Sequence, residues 1–124
     1  MHVDRHDIAV LTGTGSTATA YSVAAVSGRI LGINIVLPTS GQVVSTGVIT
    51  VKTNTTNQTV WTKTATGTRT VYPRAPTHTA AGAVFATAAG NPVPQHFIAA
   101  NELLKVTVAG GGVAKAATIR VFTD

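Results

Sequence analysis

The side chains that could carry out acid–base chemistry are few and widely separated in this sequence. The 124 residues include four acids and four histidines. Catalysis by paired carboxylates needs two acids that meet at a substrate, yet Glu102 is the only acid between Asp7 and Asp124. A catalytic triad needs an acid that orients its histidine, and His78 and His96 lie in segments without acids. The sequence therefore predicts a protein that is not an enzyme and has no small-molecule substrate.

Metal binding is a second candidate chemistry, at the start of the chain. His2, Asp4 and His6 would share one face if this segment were a strand. Structural zinc sites usually take ligands from more than one element, and the chain contains no cysteine. The glycine-rich run at 12–17 lacks the lysine of a phosphate-binding loop, so we interpret it as a turn. We therefore predict no metal and no cofactor, and residues 1–7 could form an N-terminal arm.

The charge content of the chain is low. Charged residues make up 10% of the sequence, against about 25% in an average soluble domain. The net charge of +5 comes from nine Lys and Arg set against four acids, and the basic residues form no run. Neutralising a nucleic-acid backbone needs several clustered cations, so we do not expect a nucleic-acid partner. The most apolar stretch, 23–37, is too short and too interrupted to span a bilayer, so we expect no membrane contact.

Alternation of apolar and polar residues dominates the chain, and no long segment shows helical periodicity. This pattern predicts one all-β domain over 1–124, an antiparallel β-sandwich of jelly-roll or related type with about seven or eight short strands. A glycine run at 110–112 predicts a hairpin between the last two strands. Glu102 is interpreted as a turn residue. The predicted strands cover 8–11, 18–26, 29–37, 47–53, 58–64, 69–72, 104–108 and 118–121.

The segment after the sixth predicted strand has a different composition. Four prolines between 73 and 94 rule out regular central strands there and predict a long, stiff loop. Tyr72, Arg74 and His78 lie on this loop, and tyrosine and arginine are favoured anchors of protein interfaces. The alternative is a loop that closes one end of the sandwich, with Tyr72 capping the core.

Threonine recurs at every second position from Thr62 to Thr70. Such a row could present a flat array of hydroxyl groups of the kind that ice-binding surfaces use. Gly67 interrupts the row, and no sequence repeat places further rows beside it. The outward face of an ordinary strand explains these threonines better, because the β-branched side chain fits a pleated sheet.

Four segments of the chain resemble small structural proteins encoded among the virion genes of tailed phages. They are Tyr72-Pro73-Arg74, His78-Thr79-Ala80-Ala81-Gly82, the stretch from Asn101 to Ala109 before a glycine run, and Ser27-Gly28-Arg29-Ile30-Leu31. The resemblance implies a capsid decoration (cement) protein with a jelly-roll or related β-sandwich, oligomeric on the capsid lattice. It brings no catalytic residues with it.

The resemblance implies two partners, the major capsid protein and other copies of this chain. The location would be the exterior of the capsid in the virion, after synthesis in the host cytoplasm. The absence of cysteine and a polar start that is not typical of a signal peptide agree with that compartment. The candidate interface residues are Tyr72, Arg74 and His78 on the loop, with Arg5 and His6 on the arm.

Two other functions stay open. A tail, neck or fibre-base component would share the same composition and fold. A small carbohydrate-binding sandwich would need exposed aromatic side chains flanked by acids or amides, and the chain offers only Trp61, Tyr21 and Tyr72 for that purpose.

Overall fold

A computed structural model describes residues 3–65, 67–78, 80–84, 86 and 94–124, and the regular structure among them is entirely β-strand. The all-β prediction is therefore confirmed. The strands are β1 (Asp4–Leu11), β2 (Ala18–Tyr21), β3 (Val26–Val36), β4 (Val48–Thr53), β5 (Thr59–Thr64), β6 (Arg69–Val71), β7 (Ala75–Pro76), β8 (Pro94–Gln95), β9 (Phe97–Glu102), β10 (Leu104–Ala109) and β11 (Ala116–Thr123).

The longer strands form two antiparallel sheets that pack together. Sheet A has the order β1-β11-β3, after which β6 and β9 both pair with β3. Sheet B has the order β2-β10-β4-β5, and β7 and β8 form a separate two-stranded ribbon. This arrangement confirms the antiparallel β-sandwich, whereas its jelly-roll connectivity stays a prediction.

The core between the sheets is aliphatic, as the low aromatic content of 5% requires. Inward side chains alternate along each strand, so one face of every long strand is buried. Trp61 and Phe97 pack against the core from its margin and are only half-buried. The largest fully buried side chains are Ile8, Ile30, Ile33, Ile35, Ile49, Leu104, Ile119, Val26, Val43, Val51, Val106 and Val108.

The last two long strands do not form the predicted hairpin. β10 pairs with β2 and β4 in sheet B, whereas β11 pairs with β1 and β3 in sheet A. The run Gly110–Gly112 therefore carries the chain from one sheet to the other. The alternation of β10 and β11 indicates that each is half-buried, but it does not say which neighbours bury it.

The predicted N-terminal arm is also wrong for residues 4–7. These residues belong to β1, in which Asp4 faces Thr123 and Asp7 faces Arg120 in an unbroken antiparallel register. The sequence misleads here because Asp4 and His6, on the same side of the strand as the buried Ile8, are polar as well, which hides the alternation of a half-buried strand.

β3 changes its buried face halfway along its length. Even-numbered Ile30 is buried in the first part of β3, and odd-numbered Ile33 is buried in the second part. The pairing with β11 shifts by one residue between these two parts, between the pairs Thr123–Ile30 and Phe122–Gly32. An extra residue in one strand of a pair is a β-bulge, and Leu31 occupies this position. Simple alternation would place Leu31, Ile33 and Ile35 on one face, but only Ile33 and Ile35, after the bulge, are buried.

The proline-containing segment holds three strands that the sequence analysis missed, the short β7 and β8 and the longer β9. β9 pairs with the first half of β3, and β6 pairs with the second half on the same side. β6 and β9 therefore share one edge of sheet A. Pro73 lies outside the strands, whereas Pro76 and Pro94 face each other in the short ribbon of β7 and β8, away from the two main sheets.

Candidate protein-binding site

The outer face of sheet A, turned away from sheet B, brings two of the five candidate interface residues into one row. Arg5 lies opposite Phe122, and Phe122 lies opposite Gly32 on β3. The ring of Tyr72 covers Gly32 so closely that a Cβ there would lie 3.1 Å from Tyr72 Cδ1. We call Arg5, Phe122, Gly32 and Tyr72 the aromatic row.

Tyr72 stays largely accessible in this position. Its exposed fraction is 68% although one side of its ring rests on the backbone of β3. Glycine is required beneath it because any larger side chain would lift the ring. Tyr72 therefore neither caps the core nor hangs on a free loop, and instead forms part of the sheet surface.

A second row on the same face is polar and consists of Asp7, Arg120 and Asn34, which lie opposite one another on β1, β11 and β3. Arg5 Nε lies 3.2 Å from Asp7 Oδ1, and Arg120 Nε lies 3.9 Å from the same oxygen. Asn34 continues the row on β3, where its Nδ2 donates to Thr70 Oγ1 at 3.0 Å. These side chains are partly exposed, so the ion pairs contribute little to stability and mainly set the charge pattern of the face.

Arg74, a third candidate, has a structural contact. Its Nη1 donates to the carbonyl oxygen of Leu31 at 3.1 Å and to that of Pro73 at 2.7 Å. Leu31 is the bulged residue at which the edge partner of β3 changes from β6 to β9. The guanidinium of Arg74 thus supplies a hydrogen bond at the interruption of the ladder while its side chain stays exposed.

His6 lies on the opposite side of β1 from Arg5. Its Nε2 lies 3.2 Å from Thr123 Oγ1, and the side chain is half-buried. Together with Arg5 and Asp7 it borders a cleft of about 330 Å³ against the loop that follows β2. His6 therefore lies on the face of β1 that is turned toward sheet B, away from the aromatic row.

His78 is exposed and lies in an isolated bridge with Val84. That bridge belongs to the segment between β7 and β8, outside both sheets. The structure therefore groups Arg5 with Tyr72, leaves Arg74 beside them in a structural role, and does not bring His78 to His6.

Glu102 connects the two sheets, and the sequence analysis interpreted it wrongly as a turn residue. It ends β9 with 4% of its surface exposed, and it accepts hydrogen bonds from the backbone N–H groups of Thr55 and Thr56 at 2.9 and 3.0 Å. The hydroxyl of Thr56 donates to it as well, at 3.0–3.1 Å. These bonds, led by the Thr56 backbone, hold the pKa of Glu102 below its ordinary value despite burial. Glu102 thus ties sheet A to the β4–β5 turn of sheet B.

The outer face of sheet B carries a row of threonines that runs across the strands. Thr19, Thr107, Thr50 and Thr62 lie opposite one another on four neighbouring strands, and the hydroxyls of Thr50 and Thr62 are 2.9 Å apart. We call these four residues the threonine row.

The alternation from Thr62 to Thr70 does not make a single row, although it predicted the outward face of a strand. Thr62 and Thr64 belong to β5 in sheet B, whereas Thr70 belongs to β6 in sheet A. Thr66 lies outside the described residues. A row across a sheet joins positions that are distant in sequence, so no spacing along the chain could reveal it.

Within the described part of the chain, no group of three or more His, Asp or Glu side chains is arranged to hold a metal ion. His2, part of the candidate cluster, lies outside that part. Over the same residues, no helix has the length and apolar character needed to cross a bilayer. A comparison with protein-family models, curated proteins and solved structures finds no match for the chain.

Proposed function

We propose that this chain is a virion structural protein of the capsid decoration type, and that it binds the shell through the outer face of sheet A. The observation that carries the proposal is the aromatic row. Tyr72 and Arg5 expose an aromatic ring and a guanidinium on a surface that paired strands hold in place. Both types of side chain are enriched among the residues that dominate protein interfaces.

The setting of these residues favours a docking surface. Side chains on a paired sheet lose less conformational entropy on binding than those on a free loop. Leu11, at the far end of the same face of β1, is 68% exposed and adds apolar area. Many modest contacts made in parallel by copies on one particle hold tightly without a single large interface.

The virion role is tested by counting copies of the chain in particles of the phage that carries this gene. Heads and tails are separated on a gradient, and the chain is quantified against the major capsid protein by mass spectrometry. A decoration protein is present in a fixed, near-stoichiometric ratio in heads without tails. Absence from particles, or a few copies that travel with the tails, would overturn the proposal, and the second result would favour the tail component.

The binding face is tested with two matched tyrosines. Tyr72→Ala removes the exposed ring on sheet A, and Tyr21→Ala removes an exposed ring on sheet B. Added back to heads stripped of the chain, Tyr72→Ala should bind roughly thirtyfold more weakly, the effect of losing about 2 kcal/mol at an interface anchor. Tyr21→Ala should bind like the unchanged protein. Equal behaviour of the two variants, with folding verified by thermal unfolding, would contradict this assignment of the face.

A further inference from the structure

The first strand of the chain forms an edge of sheet A, and its residues Arg5, His6 and Asp7 border a cleft against the loop that follows β2. β1 pairs with β11 along its whole length and with no other strand of the described residues. The backbone N–H of Thr12 donates to the carbonyl of Lys115 at 2.8 Å, toward β11. Because these groups alternate in direction along a strand, Arg5, Asp7 and Ala9 direct theirs to the open side. No strand of the described residues takes up these donors and acceptors, so the edge offers them to another strand.

The charges on this edge are unusual for one that only repels other strands. Protective edges carry charges, especially lysine, that oppose the approach of a second strand. Here Arg5 and Asp7 have opposite signs, lie two residues apart and point to the same outer face, where they already form an ion pair of 3.2 Å. Two antiparallel copies of such a segment attract each other in one register.

We infer that the open edge of β1 pairs with β1 of a second copy around a two-fold axis at His6. Residues facing each other across an antiparallel pair point to the same side of a sheet. In this register Arg5 of each copy faces Asp7 of the other, so four charges of alternating sign surround the axis. The inference does not depend on the proposed virion role.

The neighbouring registers lack this complementarity. An axis at Asp7 places two aspartates opposite each other, and an axis at Arg5 places two arginines opposite each other. An axis at Ile8 places Arg5 against Leu11 and leaves both charges without a partner across the pair. Like charges directly opposite each other destabilise a strand pair, so the charges select the register at His6.

This pairing joins the two copies of sheet A into one continuous sheet. A two-fold axis perpendicular to the sheet keeps both aromatic rows on the same side. The dimer thus presents two copies of Tyr72 to one surface, which raises the avidity of any partner that reaches both.

The charge pattern is tested by sedimentation velocity over a wide range of protein concentration. The unchanged chain should form dimers as concentration rises, and Arg5→Asp or Asp7→Arg should raise the dimer Kd at least roughly tenfold. The double variant with both changes should return the Kd toward the original value, because opposite charges again face each other. Lys105→Glu, a charge reversal on sheet B, should leave the Kd unchanged.

A covalent test reports the register directly. The chain has no cysteine, and residues at the axis of a non-hydrogen-bonded pair have Cα atoms roughly 4.5 Å apart, within disulfide reach. His6→Cys should therefore form a disulfide-linked dimer under mild oxidation, whereas Asp4→Cys, which faces Ile8 of the second copy, should not. A chain that stays monomeric at all concentrations, or cross-linking that does not distinguish the two variants, would overturn the inference. Far-ultraviolet spectra verify the fold of each variant.

Discussion

The two outer faces of the sandwich differ in how they remain in contact with water. Sheet A or its ends carry all four acids of the chain, and its outer face combines ion pairs with exposed aromatic surface. The strands of sheet B contain three lysines, no acid, and the threonine row. Hydroxyl groups thus keep sheet B hydrated with few charges, whereas sheet A carries the ion pairs and the exposed tyrosine on which the proposed docking rests.

The sheets also differ in regularity. β3 contains a bulge, exchanges its edge partner at Leu31, and is held at its start by the ion pair of Arg29 with Asp124, whose closest N–O distance is 2.5 Å. In sheet B the pairing of β10 with both neighbours is unbroken. The strand beneath the candidate site thus depends on specific side-chain and glycine contacts, whereas the central strand β10 of sheet B is held by continuous backbone pairing on both sides.

The largest effect is expected where sheet A closes against the C-terminus. Gly28 has φ +108°, and a Cβ there would overlap the carbonyl oxygen of Asp124. Gly28→Ala should lower the free energy of unfolding by roughly 2–4 kcal/mol, through backbone strain and displacement of the terminus. Urea unfolding measures the change.

Gly13→Ala is the matched control, because nothing lies within 4 Å of a Cβ at Gly13. It should change the unfolding free energy by less than about 0.5 kcal/mol. If Gly28→Ala were as mild as this control, the C-terminus would not be closely packed against β3.

An intermediate effect is expected at Glu102, where the two sheets meet. Glu102→Ala removes the acceptor of the Thr55 and Thr56 backbone N–H groups and should cost roughly 1–3 kcal/mol of unfolding free energy. Because the pKa of Glu102 is lowered by folding, this contribution is fully present above pH 4.5, the ordinary value for glutamate, and is lost as pH falls through the pKa of the folded state.

Urea unfolding at a series of pH values measures this contribution. The unchanged chain should lose more stability on acidification than Glu102→Gln, which has no charge to lose at this position. Parallel pH profiles of the two proteins would show that the carboxylate charge does not stabilise the turn.

The smallest effect is expected on sheet B, and it has the opposite sign. Lys52 and Lys105 lie directly opposite each other on β4 and β10. Lys105→Glu should raise the unfolding free energy by about 0.2–1 kcal/mol, since a like-charge pair becomes an opposite-charge pair, and added salt should reduce the gain. Lys63→Glu, which faces Ile49, should give no comparable gain. A loss of stability in Lys105→Glu would mean that another contact outweighs this pair.

The strands that the sequence predicted best are those with an uninterrupted alternation. β4 and β10 were placed within one residue of their bounds, because Ile49 and Val106 lie in clear inward series with polar neighbours. β9 was missed since its inward series has only Ala99 and Glu102 fully buried, and a buried acid looks polar in any sequence pattern.

The candidate site was predictable only by residue type. Tyrosine and arginine near prolines pointed to Tyr72 and Arg74, but nothing along the chain could show that Arg5 shares a row with Tyr72. That juxtaposition depends on the pairing of β1 with β11 and of β11 with β3. The hydrogen bond of Arg74 to Leu31 depends on the bulge, which the sequence did not reveal.

The sequence by itself determined that the chain forms half-buried strands around an aliphatic core, because burial follows from side-chain type and a period of two. The tertiary structure alone decided which strands are neighbours, which sheet carries the acids, and which edge stays open. These features arise from contacts between distant parts of the chain, such as Asp7 with Arg120, which no short-range sequence pattern records.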